Sequence, residues 1–132
     1  MSAMSPVAQF VVERNEQHDG VNHSVRIDVQ AQGQGPLVVI LPSLGRASDE
    51  FDDIAASVAE AGYRVLRPAP RGIGGSGGPS PGVSLHDLAA DVLAAIAFEQ
   101  AGPAAIAGHA FGNWIARVAA GDRRDLVRAV MI

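Results

Sequence analysis

Gly108-His109-Ala110-Phe111-Gly112 has the frame G-x-S-x-G, in which a serine is presented on a sharp turn between a strand and a helix. A short apolar run, residues 104–107, precedes it, and a helical pattern over 113–120 follows, so the context suits the frame. Glycine at both flanks lets the turn be tight, because it tolerates strained backbone and close approach. The central residue is alanine. A methyl group cannot attack a carbonyl, so the frame of nucleophilic acyl-transfer chemistry is present without the atom that performs it.

The elements around this turn are read from periodicity. Residues 1–9 are expected to be a disordered start, with the folded region over 10–132. A short strand lies at Phe10-Val11-Val12. A polar stretch over 15–22 contains Asp19-Gly20, a strong hairpin-turn pair. Val25, Ile27 and Val29 alternate with polar residues, as in a half-buried strand, and 37–41 is continuously apolar, as in a strand covered on both faces. A helix is expected over 48–61, with Ser48 as its cap, Phe51, Ile54, Ala55 and Val58 at helical spacing, and Gly62 just beyond its end. A strand over 63–67 leads into a glycine- and proline-rich loop over 68–82. Ser84 with Asp87 opens a second helix with a capping-box-like pair, and Leu88, Val92 and Ile96 form its buried stripe. A last apolar strand covers 127–132, from Val127 to Ile132. After the opening hairpin, strands and helices alternate. That predicts an α/β fold: a three-layer sandwich with a mostly parallel sheet and helices on both faces. Ligands bind at the carboxyl ends of such strands, where the turn at 108–112, the segment Pro42-Ser43-Leu44-Gly45-Arg46 and the loop at Arg71 all fall.

Composition excludes several classes. The chain has 132 residues, a net charge of −4 and no cysteine. One domain is expected. There is no basic footprint for nucleic acid, and neither disulfides nor thiolate metal sites can form. No secretory signal or membrane-length apolar run is evident, so a cytoplasmic protein without membrane contact is expected. The glycines over 72–78 lack the lysine of a phosphate-binding loop. His18 and His23 flank the hairpin turn and His86 starts a helix in an exposed setting; no metal and no cofactor is anticipated. Trp114, at helical spacing, reads as core or interface.

Taken together, the turn at 108–112, the loop after the third strand, the segment Arg71-Gly72-Ile73-Gly74-Gly75-Ser76 and the spacing between them make the chain resemble the first half of the α/β-hydrolase fold family, from about residue 10 to 132. In that family the turn is the nucleophile elbow. The resemblance implies that the backbone N–H groups of Leu44 and Phe111 are oxyanion-hole donors, that Ala110 occupies the nucleophile position, and that the residue at His109 is commonly a packed, hydrogen-bonded histidine. Arg71 matches the family arginine that braces its own loop. Arg46 is the better candidate for contact with an anionic substrate, the bland alternative for both arginines being ion pairs with residues such as Asp49 or Asp53. His109 is kept as a substrate-side candidate. Ser43 is a substitute nucleophile by location, without an identifiable base.

The departures from the family pattern matter. Pro42-Ser43 replaces a His-Gly pair, Ala69 stands where an aspartate would precede Arg71, and Ala110 replaces serine. Three changed positions favour a natural branch that left serine chemistry over a single engineered alanine. The family order places the acid and the histidine after the elbow, and these, with a cap domain, are expected beyond Ile132. Two functions follow as expectations. One is a hydrolase-family polypeptide for a small ester, lactone, amide or epoxide-like substrate, catalytically incomplete alone. The other is a non-catalytic ligand-binding or structural subunit. In both, the strand over 127–132 would be an apolar edge that pairs with a complementary half chain or with a second copy.

Overall fold

The structure is a computed structural model that describes residues 6–42 and 51–131. Among the described residues six strands form one sheet in the order β1-β2-β4-β3-β5-β6. The strands are β1 (Ala8–His18), β2 (Val21–Gln32), β3 (Leu37–Leu41), β4 (Arg64–Pro68), β5 (Ala104–Gly108) and β6 (Val127–Met131). The helices are α1 (Asp52–Glu60), α2 (Leu85–Glu99) and α3 (Phe111–Asp122). The last four strands run parallel to their neighbours, while the β1–β2 hairpin joins antiparallel at β4. The expected mixed, mostly parallel α/β sheet is the observed one.

The strand order explains the layers. From β3 the chain steps to β4 on one side, then crosses to β5 on the other. Right-handed crossovers made in opposite directions put their helices on opposite faces. So α1 packs alone over Val38, Ile40 and Val65 through Ala55 and Ala59. On the other face α2 and α3 cover Leu37, Val39, Leu66 and Ile106. β3 lies at the switch in strand order, with the carboxyl ends of the parallel strands β4 and β5 on either side of its own.

The hairpin is longer than the sequence suggests. Ala8 and Gln9, assigned to a disordered start, already pair with Ala31 and Gln30, and the polar stretch from Asn15 continues β1 up to a two-residue turn. Asp19 and Gly20 both have positive φ, 52° and 76°, as that turn requires. Strand alternation puts Val12, Arg14, Glu16 and His18 on one face, and the charged members find partners there. Pattern alone reads such residues as solvated.

The helix ends follow their sequence signals. Ser84 caps α2 in a complete capping box with Asp87. Gly62 follows α1 with φ 100°. Phe51 occupies the N-cap of α1 without a side-chain cap bond, and Ser48 lies outside the described residues. Ile54, expected on the inner face of α1, points outward instead; Ala55 and Ala59 make the contact. Trp114 is 60% exposed, so it does not belong to the core.

Candidate active site

The elbow is built by steric exclusion. A Cβ at Gly108 would sit 2.4 Å from the Gly112 carbonyl oxygen, and one at Gly112 would sit 2.6 Å from that of Pro42. Both flanking residues are therefore held to glycine by backbone approach. Between them Ala110 adopts φ 52°, ψ −117°, a region that stores roughly 1–3 kcal/mol of strain in a residue with a Cβ. Hydrogen bonds hold it there: His109 N–H donates to Leu41 O at 3.0 Å, Gly112 N–H to His109 O at 2.9 Å, and Asn113 N–H to Ala110 O at 3.0 Å. Ala110 is exposed at the apex. The Phe111 N–H, first in α3, has no acceptor among the described residues, and the helix dipole adds partial positive charge to it. That is the donor an oxyanion site needs.

His109 departs from the packed, hydrogen-bonded residue the resemblance implies. It is exposed, and its ring meets Phe51 edge-on at 6.0 Å, with no hydrogen bond to the ring among the described residues. Ser43, Leu44 and Arg46 all lie outside the described residues.

Arg71 is a brace, and its partners are distant in sequence. Its Nε donates to Asp91 Oδ2 at 2.8 Å. Nη1 donates to Glu16 Oε2 and to the Pro79 carbonyl, each at 2.9 Å. Nη2 donates to Asp91 Oδ1 at 3.1 Å and to Glu16 Oε1. A guanidinium has five N–H donors, so none is left to clamp an anionic substrate. Arg14 joins the same carboxylates and also reaches the Asp87 carbonyl. The Arg71 guanidinium holds the buried Glu16 carboxyl down at about 2. Burial pulls the Arg71 pKa down, but bonds to Glu16 and Asp91 outweigh it and the net shift is upward. Asp53 is not among the Arg71 partners, and Asp49 lies outside the described residues; the carboxylates that pair with Arg71 are Glu16 and Asp91.

A second clasp ties the same loop to β2. Asp28 N–H donates to Ser76 Oγ, and Ser76 Oγ donates to the Ala69 carbonyl, each at 2.8 Å. Gly75 N–H donates to Asp28 Oδ2 at 2.9 Å, so an internal carboxylate takes the glycine-rich turn's amide. Neither Asp28 nor Glu16 was identifiable from the sequence, because Asp28 reads as an outward polar residue of a strand and Glu16 as part of the polar stretch around the hairpin turn. Their one signal is the arginine and serine of the loop, which need buried acceptors and donors.

The hub also brings Glu16, His18 and Asp87 together, with one ligand atom each inside 4.8 Å. Both Glu16 oxygens already accept from the Arg71 guanidinium. A metal ion would have to displace two arginines, so this donor set suits ion pairing rather than coordination. The other histidine–carboxylate contact, His86 Nδ1 to Asp122 Oδ2 at 2.7 Å, ties the exposed ends of α2 and α3. Neither pair involves the elbow.

A strained turn between a parallel strand and a helix, held by two sterically required glycines and carrying an amide unpaired among the described residues, is the geometry of a nucleophile elbow. The sequence profile of the alpha/beta hydrolase fold matches residues 36–132. The chain belongs to the α/β-hydrolase fold family. Solved structures agree. An epoxide hydrolase from an endophytic Streptomyces is similar at 29% identity with a TM-score of 0.75, over 91% of this chain and 36% of that one. Epoxide hydrolase A from Mycobacterium thermoresistibile is similar at 28% identity and TM-score 0.72, over 92% and 38%. The epoxide hydrolase VrEH1 from Vigna radiata shares the fold at 20% identity and TM-score 0.74, over 91% and 39%. The chain thus spans less than two fifths of the length of these structures. No helix among the described residues is long and apolar enough to cross a membrane.

Proposed function

We propose that this chain supplies the elbow and oxyanion side of a hydrolase-type site for a small ester, lactone, amide or epoxide-like substrate, and that Ala110 leaves this site without a nucleophile. The observation that supports the reading is the elbow itself. Ala110 is held at φ 52° and ψ −117° by the Gly108–Gly112 approach, while the Phe111 N–H stays unpaired among the described residues. Strain of this kind persists only where the surrounding structure over-determines it. Leu44 N–H is the second donor of the reading, and a cytoplasmic setting belongs to it as well. A single oxyanion donor is worth about 3 kcal/mol in working enzymes. Bound without a nucleophile, the same donors would hold a carbonyl or carboxylate oxygen. The names of the similar structures support the epoxide-like member of that substrate class.

The test is Ala110→Ser in the full-length protein, assayed with an activated ester, and Ala110→Asp, assayed with a simple epoxide. Serine can form an acyl-enzyme that water then hydrolyses, and a carboxylate can open a strained ring. A rise of at least about a hundredfold over the parent in either pair supports a hydrolase site blocked at one residue. Rates equal to the parent in both would favour the second reading, a non-catalytic ligand-binding or structural subunit.

One feature favours that second reading. Among the described residues β6 is the outermost strand and pairs only with β5. Its Met131 is 46% exposed. In this reading β6 adds a strand from a complementary chain or from a second copy.

A further inference from the structure

A partly open cavity of about 250 Å³ lies behind the elbow, between α2, α3 and the loop after β4. Leu88 and Val92 form its α2 wall, Phe111 and Ile115 its α3 wall, with Leu41 at the base and Pro79 on the loop side. Ala110 and His109 are not among its lining residues, while Phe111, the residue after Ala110, forms part of its wall, so the cavity adjoins the elbow from the α2 side.

What distinguishes this cavity is that its polar groups are already used. Arg71 and Asp91 reach its wall, but all five Arg71 donors are taken by Glu16, Asp91 and Pro79. Both Asp91 oxygens accept from arginine. The backbone is spent in the same way. The Leu41 carbonyl accepts from His109, that of Pro70 from Ile73, and that of Ser80 from Val83. The Ala69 carbonyl accepts from the Ser76 hydroxyl. Among the described residues the rest of the lining is mainly apolar, with the exposed Ser80 hydroxyl at the rim. An ionic ligand would lose hydration and meet no charged side chain left free to pair with it among those residues. A neutral apolar ligand loses little and gains contact on three sides. An engineered apolar cavity of ~150 Å³ takes benzene, so this volume accepts a ring with a short substituent.

We propose that the cavity between α2 and α3 is a binding site for a small neutral hydrophobe, one ring or a short alkyl chain carrying at most one oxygen. It stands independently of whether the elbow is catalytic. The loop after β4 forms one wall while Glu16, Asp91 and Asp28 hold that loop, so the site is pre-formed rather than built by the ligand.

The test is an NMR titration of the purified full-length protein with benzyl alcohol, benzoate and benzylammonium. Benzyl alcohol is expected to bind saturably, with Kd on the order of 1 mM or tighter, and to shift signals of Leu88, Val92 and Ile115. Both ions are expected to bind at least about tenfold more weakly, a difference of ~1.4 kcal/mol. Benzylammonium is the stringent control, since the protein's charge of −4 favours it. Val92→Phe, which fills the cavity from α2, should weaken the alcohol at least about tenfold. If its melting curve shows it unfolded, Ile115→Phe fills the same space from α3. Absence of saturable shifts, shifts confined to other residues, equal binding of the three probes, or undiminished binding to a folded filled variant would each overturn the proposal.

Discussion

At the scale of single residues, the elbow makes opposed forecasts for three glycines and one alanine. Gly108→Ala and Gly112→Ala each place a methyl within 2.6 Å of a carbonyl oxygen, and backbone cannot yield as a flexible side chain can. Each should cost more than about 2 kcal/mol of stability in urea unfolding. Gly121 also sits in α3, but its added Cβ meets nothing within 4 Å. Gly121→Ala should therefore stabilise by roughly 0.5–1 kcal/mol. Ala110→Gly is the sharper test. If Ala110 stores roughly 1–3 kcal/mol at its positive φ, glycine releases it and loses only ~0.4–1 kcal/mol to a freer unfolded chain. A net gain of about 1 kcal/mol is expected. A loss in the unfolding free energy would show that the strain is not there. The same residues explain why the elbow was legible in the sequence. The signal that marks it lies within five positions, whereas the β3 backbone that crowds Gly112 and accepts from His109 does not announce itself in the sequence.

At the scale of elements, the loop after β4 is held by residues the sequence kept apart. Arg71 and Glu16 are separated by 55 positions, and Arg71 and Asp91 by 20. Arg71 is expected to be a brace through the family resemblance of its glycine-rich segment. Glu16 sits in a run of polar residues where a strand continuing to the hairpin turn looks the same as a solvated loop. Its burial depends on which way β1 faces, which is set by long-range pairing. The hub should be visible in the pH dependence of stability. Glu16 has its carboxyl lowered to about 2 from an ordinary 4.5. A depressed acid contributes stability that is fully present above 4.5 and is lost as the pH falls toward 2. Unfolding free energy measured from pH 7 downward should therefore fall across that window, by on the order of 3 kcal/mol from this group. In Glu16→Gln the slope should flatten there, while stability at neutral pH drops by roughly 1–3 kcal/mol, because Arg71 loses one of its two carboxylate partners and keeps Asp91. An unchanged acid limb in the variant would mean that other carboxylates carry the transition. A smaller effect tests the helix that supplies Asp91. Ser84→Ala removes the capping box of α2 and should cost about 1 kcal/mol.

At the scale of the whole molecule, the two sheet edges are unlike. On one side β1 and β2 form a long hairpin whose polar side chains are engaged by the hub. On the other, β6 is a five-residue strand that pairs only with β5 among the described residues. Its shortness and the exposed Arg128 are the edge protection it carries, while Met131 leaves apolar surface exposed beside them. Trp114 adds exposed aromatic surface on α3, which also packs on β6. The alternation of strands and helices made the parallel sheet legible from the sequence, because each crossover is a local signal. Which strand would lie outermost was legible only through the family order. The proposed edge pairing can be tested by sedimentation. If β6 recruits a strand, the purified protein should run as a complex or as a concentration-dependent oligomer. Met131→Lys should then shift it toward single chains, because an edge lysine must be desolvated for pairing. Stability at low protein concentration should change by less than about 0.5 kcal/mol, since Met131 is exposed. A protein that sediments as single chains at every concentration, with or without the lysine, would remove β6 as an interface and leave the elbow and the cavity as the surfaces to account for function.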